Sequence, residues 1–161
     1  MESKKLAIVG CGKLAEIIVD ALIGGLLPDY RLIAAFSNTE EKAKRLAAKL
    51  QNAKPGYICT PCATVDELLA LKPDYIVESA SPAAMKALAL PALQNGSSIV
   101  TLSIGVFADE KFYEEVKQTA LQTNTRVHMV SGAIGGFDVL RTVSLMGNCS
   151  ASIDTEKGPN S

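Results

Sequence analysis

Residues 6–15 read LAIVGCGKLA, an apolar run that passes through two glycines into a segment with helical spacing. The small residues form the pattern G-x-G-x-x-A, at Gly10, Gly12 and Ala15, between a predicted strand and a predicted helix. Gly10 permits a tight turn, Gly12 lets the backbone approach a pyrophosphate, and Ala15 lets the helix pack closely on the strand. The amides at the helix start then face an anion, with the helix dipole behind them. This stretch therefore predicts a dinucleotide-binding turn; a plain glycine-rich turn is the simpler alternative.

Short apolar runs recur along the chain and alternate with longer segments of helical periodicity. The predicted strands are residues 6–9, 31–36, 57–59, 75–77, 98–102 and 127–130. Strands that alternate with helices indicate a doubly wound, mostly parallel sheet with helices on both faces, a three-layer α/β/α Rossmann fold. Continuous apolar strands suit such a sheet, because both faces of each strand are buried.

Apolar residues with 3.6-residue spacing predict the helix faces that pack on the sheet. The first predicted face comprises Leu14, Ile17, Ile18, Ala21 and Leu22, and the second comprises Ala43, Leu46, Ala47 and Leu50. Ser81-Pro82 predicts a cap and a first-turn proline for a later helix, and Asn95-Gly96 predicts its end.

The composition favours one globular domain whose net charge is close to zero. The chain has 161 residues, 48% of them hydrophobic, which is ample for an independent core. Lys and Arg number 16 and Asp and Glu 17, so a net charge of -1 gives no electrostatic footprint for nucleic acid or an anionic membrane. The first apolar run is too short for a signal peptide or a membrane span, so we expect a cytoplasmic protein with reduced thiols.

The cysteines raise the question of a redox or metal site. Cys59 and Cys62 have the spacing of a thioredoxin-type pair or of half a zinc site. A zinc site needs two more ligands, and His128 and Cys149 do not form a matching pair. We therefore predict no metal site, small buried cysteines at a strand end, and a core or strand-end role for His128.

The end of the second predicted strand bears on cofactor choice. An NAD-selective fold usually places an acid there, but Ser37 and Asn38 occupy the position. These groups, followed by Lys42 and Arg45, could hold a 2′-phosphate, which favours NADP or use of both cofactors. The alternative is that Lys42, Lys44 and Arg45 form an ordinary solvated helix face. The predicted cofactor is thus NAD or NADP.

The ligand of a doubly wound sheet lies along the carboxyl ends of the strands. The small residues that follow strands four to six should therefore line the nicotinamide half of the cleft, with Ser81 both capping a helix and contacting the cofactor. The predicted contacts from the residues alone are Gly10, Cys11, Gly12, Lys13, Leu14, Ser37, Asn38, Ala80, Ser81 and Ser103.

Four segments make the chain resemble the L-aspartate dehydrogenases, which share a homoserine-dehydrogenase-like nucleotide-binding domain. They are GCGKLA at 10–15, VESASPAAMKALALPALQNG at 77–96, SIGVFADEKFYEEV at 103–116 and SGAIGGFDVL at 131–140. The resemblance implies an oxidoreductase that oxidatively deaminates L-aspartate to iminoaspartate, a precursor in NAD biosynthesis. It also implies that Ala133 contacts the nicotinamide cofactor.

Members of that family continue through a further small domain that closes the substrate cleft and supplies a catalytic histidine and a cofactor-contacting asparagine. Neither position exists here, so we expect no catalytic residue in this chain. Residues 1–147 are predicted to form the Rossmann domain and residues 148–161 to begin the catalytic domain, most of which the sequence lacks. The expected partners are a small-molecule substrate and a second copy in a homodimer.

Two other functions fit parts of the pattern. The chain could be a stand-alone dinucleotide-binding or redox-sensing module that acts through a partner. A sugar oxidoreductase is disfavoured, because the fifth predicted strand leads into Ser103 rather than the lysine-bearing E-K-P of that family.

Overall fold

The computed structural model describes residues 3–130, 142–147, 150 and 152. The chain divides into two compact units, Met1–Val130 and Ser131–Ser161. In the second unit residues 142–145 are helical, and residues 142–147 are exposed. The segment SGAIGGFDVL, with Ala133, lies outside the described residues.

The first unit alternates strands with helices, as the sequence predicts. Its strands are β1 (Lys4–Val9), β2 (Tyr30–Phe36), β3 (Thr60–Cys62), β4 (Tyr75–Glu78), β5 (Ser98–Thr101) and β6 (Val127–Met129). Its helices are α1 (Lys13–Ile23), α2 (Glu40–Ala53), α3 (Val65–Ala70), α4 (Pro82–Gln94) and α5 (Glu110–Thr123), with a 3-10 helix at Ile104–Ala108.

The strands form one sheet in the order β3-β2-β1-β4-β5-β6, and every neighbouring pair is parallel. The predicted doubly wound Rossmann fold is confirmed. The strand order reverses between β1 and β4, which makes the carboxyl ends of these two strands the topological switch point where such sheets bind ligands.

Hydrophobic clusters lie on both faces of the sheet. Helices α3, α4 and α5 pack on one face, where Ala7, Ile76 and Ile99 are buried among them. Helices α1 and α2 pack on the other, over Ile8 and Leu32. This arrangement confirms the three layers.

The predicted face of α2 is confirmed, since Ala43, Leu46, Ala47 and Leu50 are all buried. The predicted face of α1 is largely wrong. Only Leu22 of the predicted set is buried; it packs with Ala15 and Val19, whereas Ile17 is 62% exposed. Because α1 is apolar on two sides, periodicity alone does not show which side meets the sheet.

Strand β3 lies three residues after its predicted position at 57–59. Its pairing with β2 aligns Thr60 with Ala34 and Cys62 with Phe36. Ile58 is 74% exposed, so the apolar side chain that suggested a strand there lies outside the core.

The predicted ends of α4 are confirmed. The Ser81 hydroxyl accepts a hydrogen bond from the Ala84 amide at 3.2 Å, Pro82 opens the helix, and Asn95 is the C-cap. Among the described residues, no helix is both long and apolar enough to cross a membrane.

Candidate functional site

The last residues of the strands align in a single row across the sheet. Paired neighbours along this row are Cys62, Phe36, Val9, Glu78, Thr101 and Met129. The turns that follow the strands therefore start at the same level and face the same edge. This register brings the predicted contacts at 10–14, 37–38, 80–81 and 103 to one edge of the sheet.

The turn after β1 is packed tightly against the turn after β4. Gly10 has a φ of +97°, and a Cβ placed there would lie 2.7 Å from the Ala80 nitrogen and 2.7 Å from the Ser79 carbonyl carbon. The Ser79 hydroxyl donates to the Gly10 carbonyl at 2.8 Å, and the Gly10 amide donates to the Phe36 carbonyl at 2.9 Å. Glycine is needed at position 10 for the fold itself, because a side chain would overlap backbone atoms of the neighbouring turn.

Gly12 has a different environment from Gly10. It is the N-cap of α1, with φ −91° and ψ −164°, a conformation open to any residue. Among residues 3–130, a Cβ there would meet no atom within 4 Å. Among the described residues no side chain caps α1 or α2, whereas Thr64, Ser81 and Asp109 cap α3, α4 and α5. The space before the helix start and its uncapped amides fit a phosphate group approaching along the helix axis.

The three basic side chains that follow β2 differ in their ion pairs. The Arg45 guanidinium forms an ion pair with Glu16 at 2.8 Å, and Lys44 forms one with Glu40 at 2.8 Å. Within residues 3–130 no carboxylate forms an ion pair with Lys42, which is exposed. The Ser37 hydroxyl accepts from the Thr39 amide at 3.4 Å, and Asn38 is exposed. Of these three basic side chains, Lys42 is therefore the one that has no ion pair within residues 3–130.

A fully buried carboxylate lies beneath the turns that follow β4 and β5. Oε1 of Glu78 accepts from the amides of Ala80 at 2.8 Å and Ser81 at 3.0 Å, and from the Ser103 hydroxyl at 3.1 Å. Oε2 accepts from the Thr101 hydroxyl at 2.6 Å. The Thr101 oxygen in turn accepts from the Ser103 amide at 3.0 Å. A single carboxylate therefore links two turns that belong to different strands.

The sequence places Glu78 at the start of the turn after the fourth strand, which should line the cleft, but assigns no role to its side chain. The available signal was an acid as the last residue of a short buried strand, because a charge at such a position requires several donors nearby. Serine, threonine and free turn amides follow β4 and β5, and these are the donors that the structure supplies.

The described cysteines are buried free thiols. Burial raises the pKa of Cys59 to about 12, with smaller contributions from Cys11 and Cys62. Burial also raises the pKa of Cys11 to about 11, against an opposing effect of Lys42, and raises that of Cys62. A thioredoxin-type pair needs a lowered thiol pKa, so these cysteines fit the predicted structural role. The Cys11 side chain points into the core, which leaves its backbone for ligand contact.

His128 is exposed on β6 and is not a core residue. Its ring lies 6.4 Å from that of Tyr75. Both rings line an apolar groove of about 640 Å³, whose other walls include Leu14, Ile17 and Val100. Among the residues described in the first unit, no helix covers this side of β4, β5 and β6, and the second apolar side of α1 borders the groove.

Comparison with known proteins places this geometry in a family context. The family model described as "Homoserine dehydrogenase, NAD binding domain" matches residues 10–130. An L-aspartate dehydrogenase of Methanosarcina acetivorans is 35% identical over 155 residues, which cover 96% of this chain and 55% of that protein. One from Methanococcus maripaludis strain C5 is 30% identical over 141 residues, or 88% and 50% of the two chains.

A solved structure shares the fold. The protein GenD2 from gentamicin A biosynthesis, in complex with NAD, superposes with a TM-score of 0.68 at 18% identity, covering 90% of this chain and 39% of that one. At this identity the likeness concerns the fold alone. The chain spans about half the length of the curated relatives it matches.

Proposed function

The chain belongs to the family of homoserine dehydrogenase NAD-binding domains, and on that premise we propose that it binds NAD or NADP along the carboxyl ends of its parallel strands. The observation that carries the proposal is the open space at Gly12 in front of the uncapped start of α1. Neither feature serves the packing of the fold, and both fit an anion.

In this proposal, the backbone amides of residues 11–14 hold the pyrophosphate, with the dipole of α1 adding to the attraction. Ser37 and Asn38 contact the adenosine ribose, and Ala80, Ser81 and Ser103 line the nicotinamide side. Ala133 is assigned to the nicotinamide contact by resemblance. When bound, the nicotinamide ring supplies the hydride acceptor, and the chain supplies position and electrostatics.

We propose that Lys42 gives the site affinity for the 2′-phosphate of NADP. The end of β2 carries no acid to bind the ribose hydroxyls, and Arg45 and Lys44 are engaged with Glu16 and Glu40. An exposed lysine can bind a phosphate as a point charge without first breaking an ion pair.

For the whole protein we propose the L-aspartate dehydrogenase reaction, the oxidative deamination of L-aspartate to iminoaspartate. The support is sequence similarity to proteins of that name along most of this chain. In this proposal residues 1–147 form the dinucleotide-binding domain, residues 148–161 begin a catalytic domain, and the groups that handle protons and clamp the substrate lie in that domain. A cytoplasmic homodimer completes the proposal; sedimentation velocity tests its stoichiometry.

Calorimetric titration of the chain with NAD, NADP and ADP-ribose tests the binding proposal directly. Saturable binding of the dinucleotides supports it, and NADP should bind more tightly if Lys42 has the assigned role. Absence of binding to all three ligands would contradict it. The reaction is tested separately, by following aspartate-dependent NADH formation in a chain extended to the length of its relatives.

A further inference from the structure

We infer that Glu78 is a positioning residue that holds the turns after β4 and β5 in the shape that the nicotinamide half of the cofactor requires. The inference rests on the proposed function, because it assigns a task within the same cleft. Glu78 itself is fully buried, so its side chain lies out of reach of a ligand in the cleft. It would act through the backbone of Ala80 and Ser81 and through Ser103.

The network is poorly explained by stability alone. Transferring a carboxylate from water to the interior is unfavourable, and a well-packed apolar residue often stabilises a fold as well as a buried charge does. Glu78 instead accepts four hydrogen bonds from two turns. A fully satisfied buried network of this kind fixes one arrangement of the groups that it joins. Here those groups are the start of α4 and the turn after β5.

The same contacts determine how the two turns can meet a ligand. The amides of Ala80 and Ser81 donate to Glu78, and the Ser81 hydroxyl oxygen accepts from the Ala84 amide. The two amides are therefore not available to a ligand, and these residues contribute the shape of the turn and the Ser81 O–H group. The donors for phosphate remain those of the α1 start, on the other side of the switch point, so loss of the Glu78 network should affect the nicotinamide side selectively.

The decisive variant is Glu78→Gln, which preserves the size of the side chain. Its amide group can no longer accept at both ends, so at least one donor of the network loses its acceptor. We expect the Kd of NADH to rise about tenfold, the factor associated with one weakened charge-assisted hydrogen bond. The Kd of ADP-ribose, which lacks the nicotinamide, should stay within about twofold of the wild-type value.

Thr101 offers an independent pair of variants on a side chain that is fully buried and cannot reach the ligand itself. Thr101→Val removes the hydroxyl that Glu78 and Ser103 share, whereas Thr101→Ser keeps it. We expect the first to reproduce the selective loss of NADH affinity and the second to behave as the wild type. This pair decides the matter if Glu78→Gln fails to fold.

Ser97 supplies the matched structural control. It is equally buried, and its hydroxyl donates to the Pro73 carbonyl at 2.7 Å, at the opposite end of β5. Ser97→Ala should lower the melting temperature without changing the ratio of the NADH and ADP-ribose affinities. If Ser97→Ala changed that ratio, the selective loss of NADH affinity would be a result of general destabilisation, and the inference would be overturned.

The outcomes separate this inference from the proposed function. Suppose that the wild type binds both NADH and ADP-ribose. If Glu78→Gln and Thr101→Val then keep the wild-type affinities for both ligands, or lose affinity for both equally, the positioning role is wrong and the binding function stands. If the wild type binds neither ligand, the proposed function fails and the positioning role falls with it. Selective loss of NADH affinity in the folded Glu78→Gln variant or in Thr101→Val, with Thr101→Ser unaffected, supports the inference.

Discussion

Replacing Gly12 with alanine should impair cofactor binding without impairing the fold. Its φ of −91° suits alanine, and the added methyl group would have no atom of residues 3–130 within 4 Å. Gly-to-Ala changes at compatible positions stabilise slightly, and alanine is a poorer N-cap than glycine, so the net change should stay within about 1 kcal/mol. In a chain of this size that corresponds to a melting shift of about 2–4 °C.

The effect on binding should be much larger. The methyl group occupies the space in which a pyrophosphate would approach the first amides of α1. Losing one hydrogen bond to a charged group costs about 1.5–3 kcal/mol, which raises Kd roughly 10- to 100-fold. Calorimetry with NADH and with ADP-ribose measures the change, and both ligands should be affected, since both contain the pyrophosphate.

Gly10→Ala is the matched comparison, because it makes the same chemical change two residues earlier. There the new carbon would lie 2.7 Å from backbone atoms of Ala80 and Ser79, at a φ of +97°. Strain and overlap together should cost about 3 kcal/mol or more, lowering the melting temperature by roughly 6–12 °C. Wild-type affinity in Gly12→Ala, or wild-type stability in Gly10→Ala, would refute the separate roles assigned to the two glycines.

Three further outcomes follow from the structure. By calorimetry, Lys42→Ala should raise the Kd of NADP about tenfold and leave the Kd of NAD unchanged. Arg45→Ala, which removes a cation that is already paired, should change neither Kd. Equal effects of Lys42→Ala on both cofactors would contradict a 2′-phosphate site. Alkylation of Cys11 and Cys59, followed by mass spectrometry, should stay slow at neutral pH. Because their folded pKa values of about 11 and about 12 exceed the ordinary 9.0, the stability that these thiols contribute is complete below pH 9 and is lost as pH rises toward 11–12. Thr64→Ala removes the cap of α3, so the free energy of unfolding should fall by about 1 kcal/mol and the melting temperature by about 2–4 °C, with the Kd of NADH unchanged. A rise in that Kd would contradict the purely structural role of the cap.

Local sequence signals predicted the fold well because a doubly wound sheet is specified by local patterns. Continuous apolar strands and amphipathic helices each follow from residue spacing, and the caps at Ser81 and Asn95 follow from side-chain chemistry within one turn. The predicted buried side of α1 was wrong because two sides of that helix are apolar, and the predicted position of β3 was wrong because the more apolar residues 57–59 precede the strand.

The candidate site also has a part that local sequence predicts and a part that depends on the fold. The motif at Gly10, Gly12 and Ala15 is contiguous, so the sequence alone placed a candidate phosphate turn between a strand and a helix. The contacts predicted at Ser37, Asn38, Ala80, Ser81 and Ser103 remain predictions about binding. Strand order explains why they share one edge of the sheet.

The succession of strands and helices and the glycine-rich turn follow from the sequence, because they depend on neighbours within a few residues, and this alternation favours a parallel sheet. The packing role of Gly10 and the space at Gly12 become visible only in the folded chain, since the atoms that crowd Gly10 belong to a turn 69 residues away. The same holds for the two turns that Glu78 joins and, within residues 3–130, for Arg45, which forms an ion pair, and Lys42, which does not. Such distinctions rest on distances between residues remote in sequence, which the folded register of the sheet alone fixes.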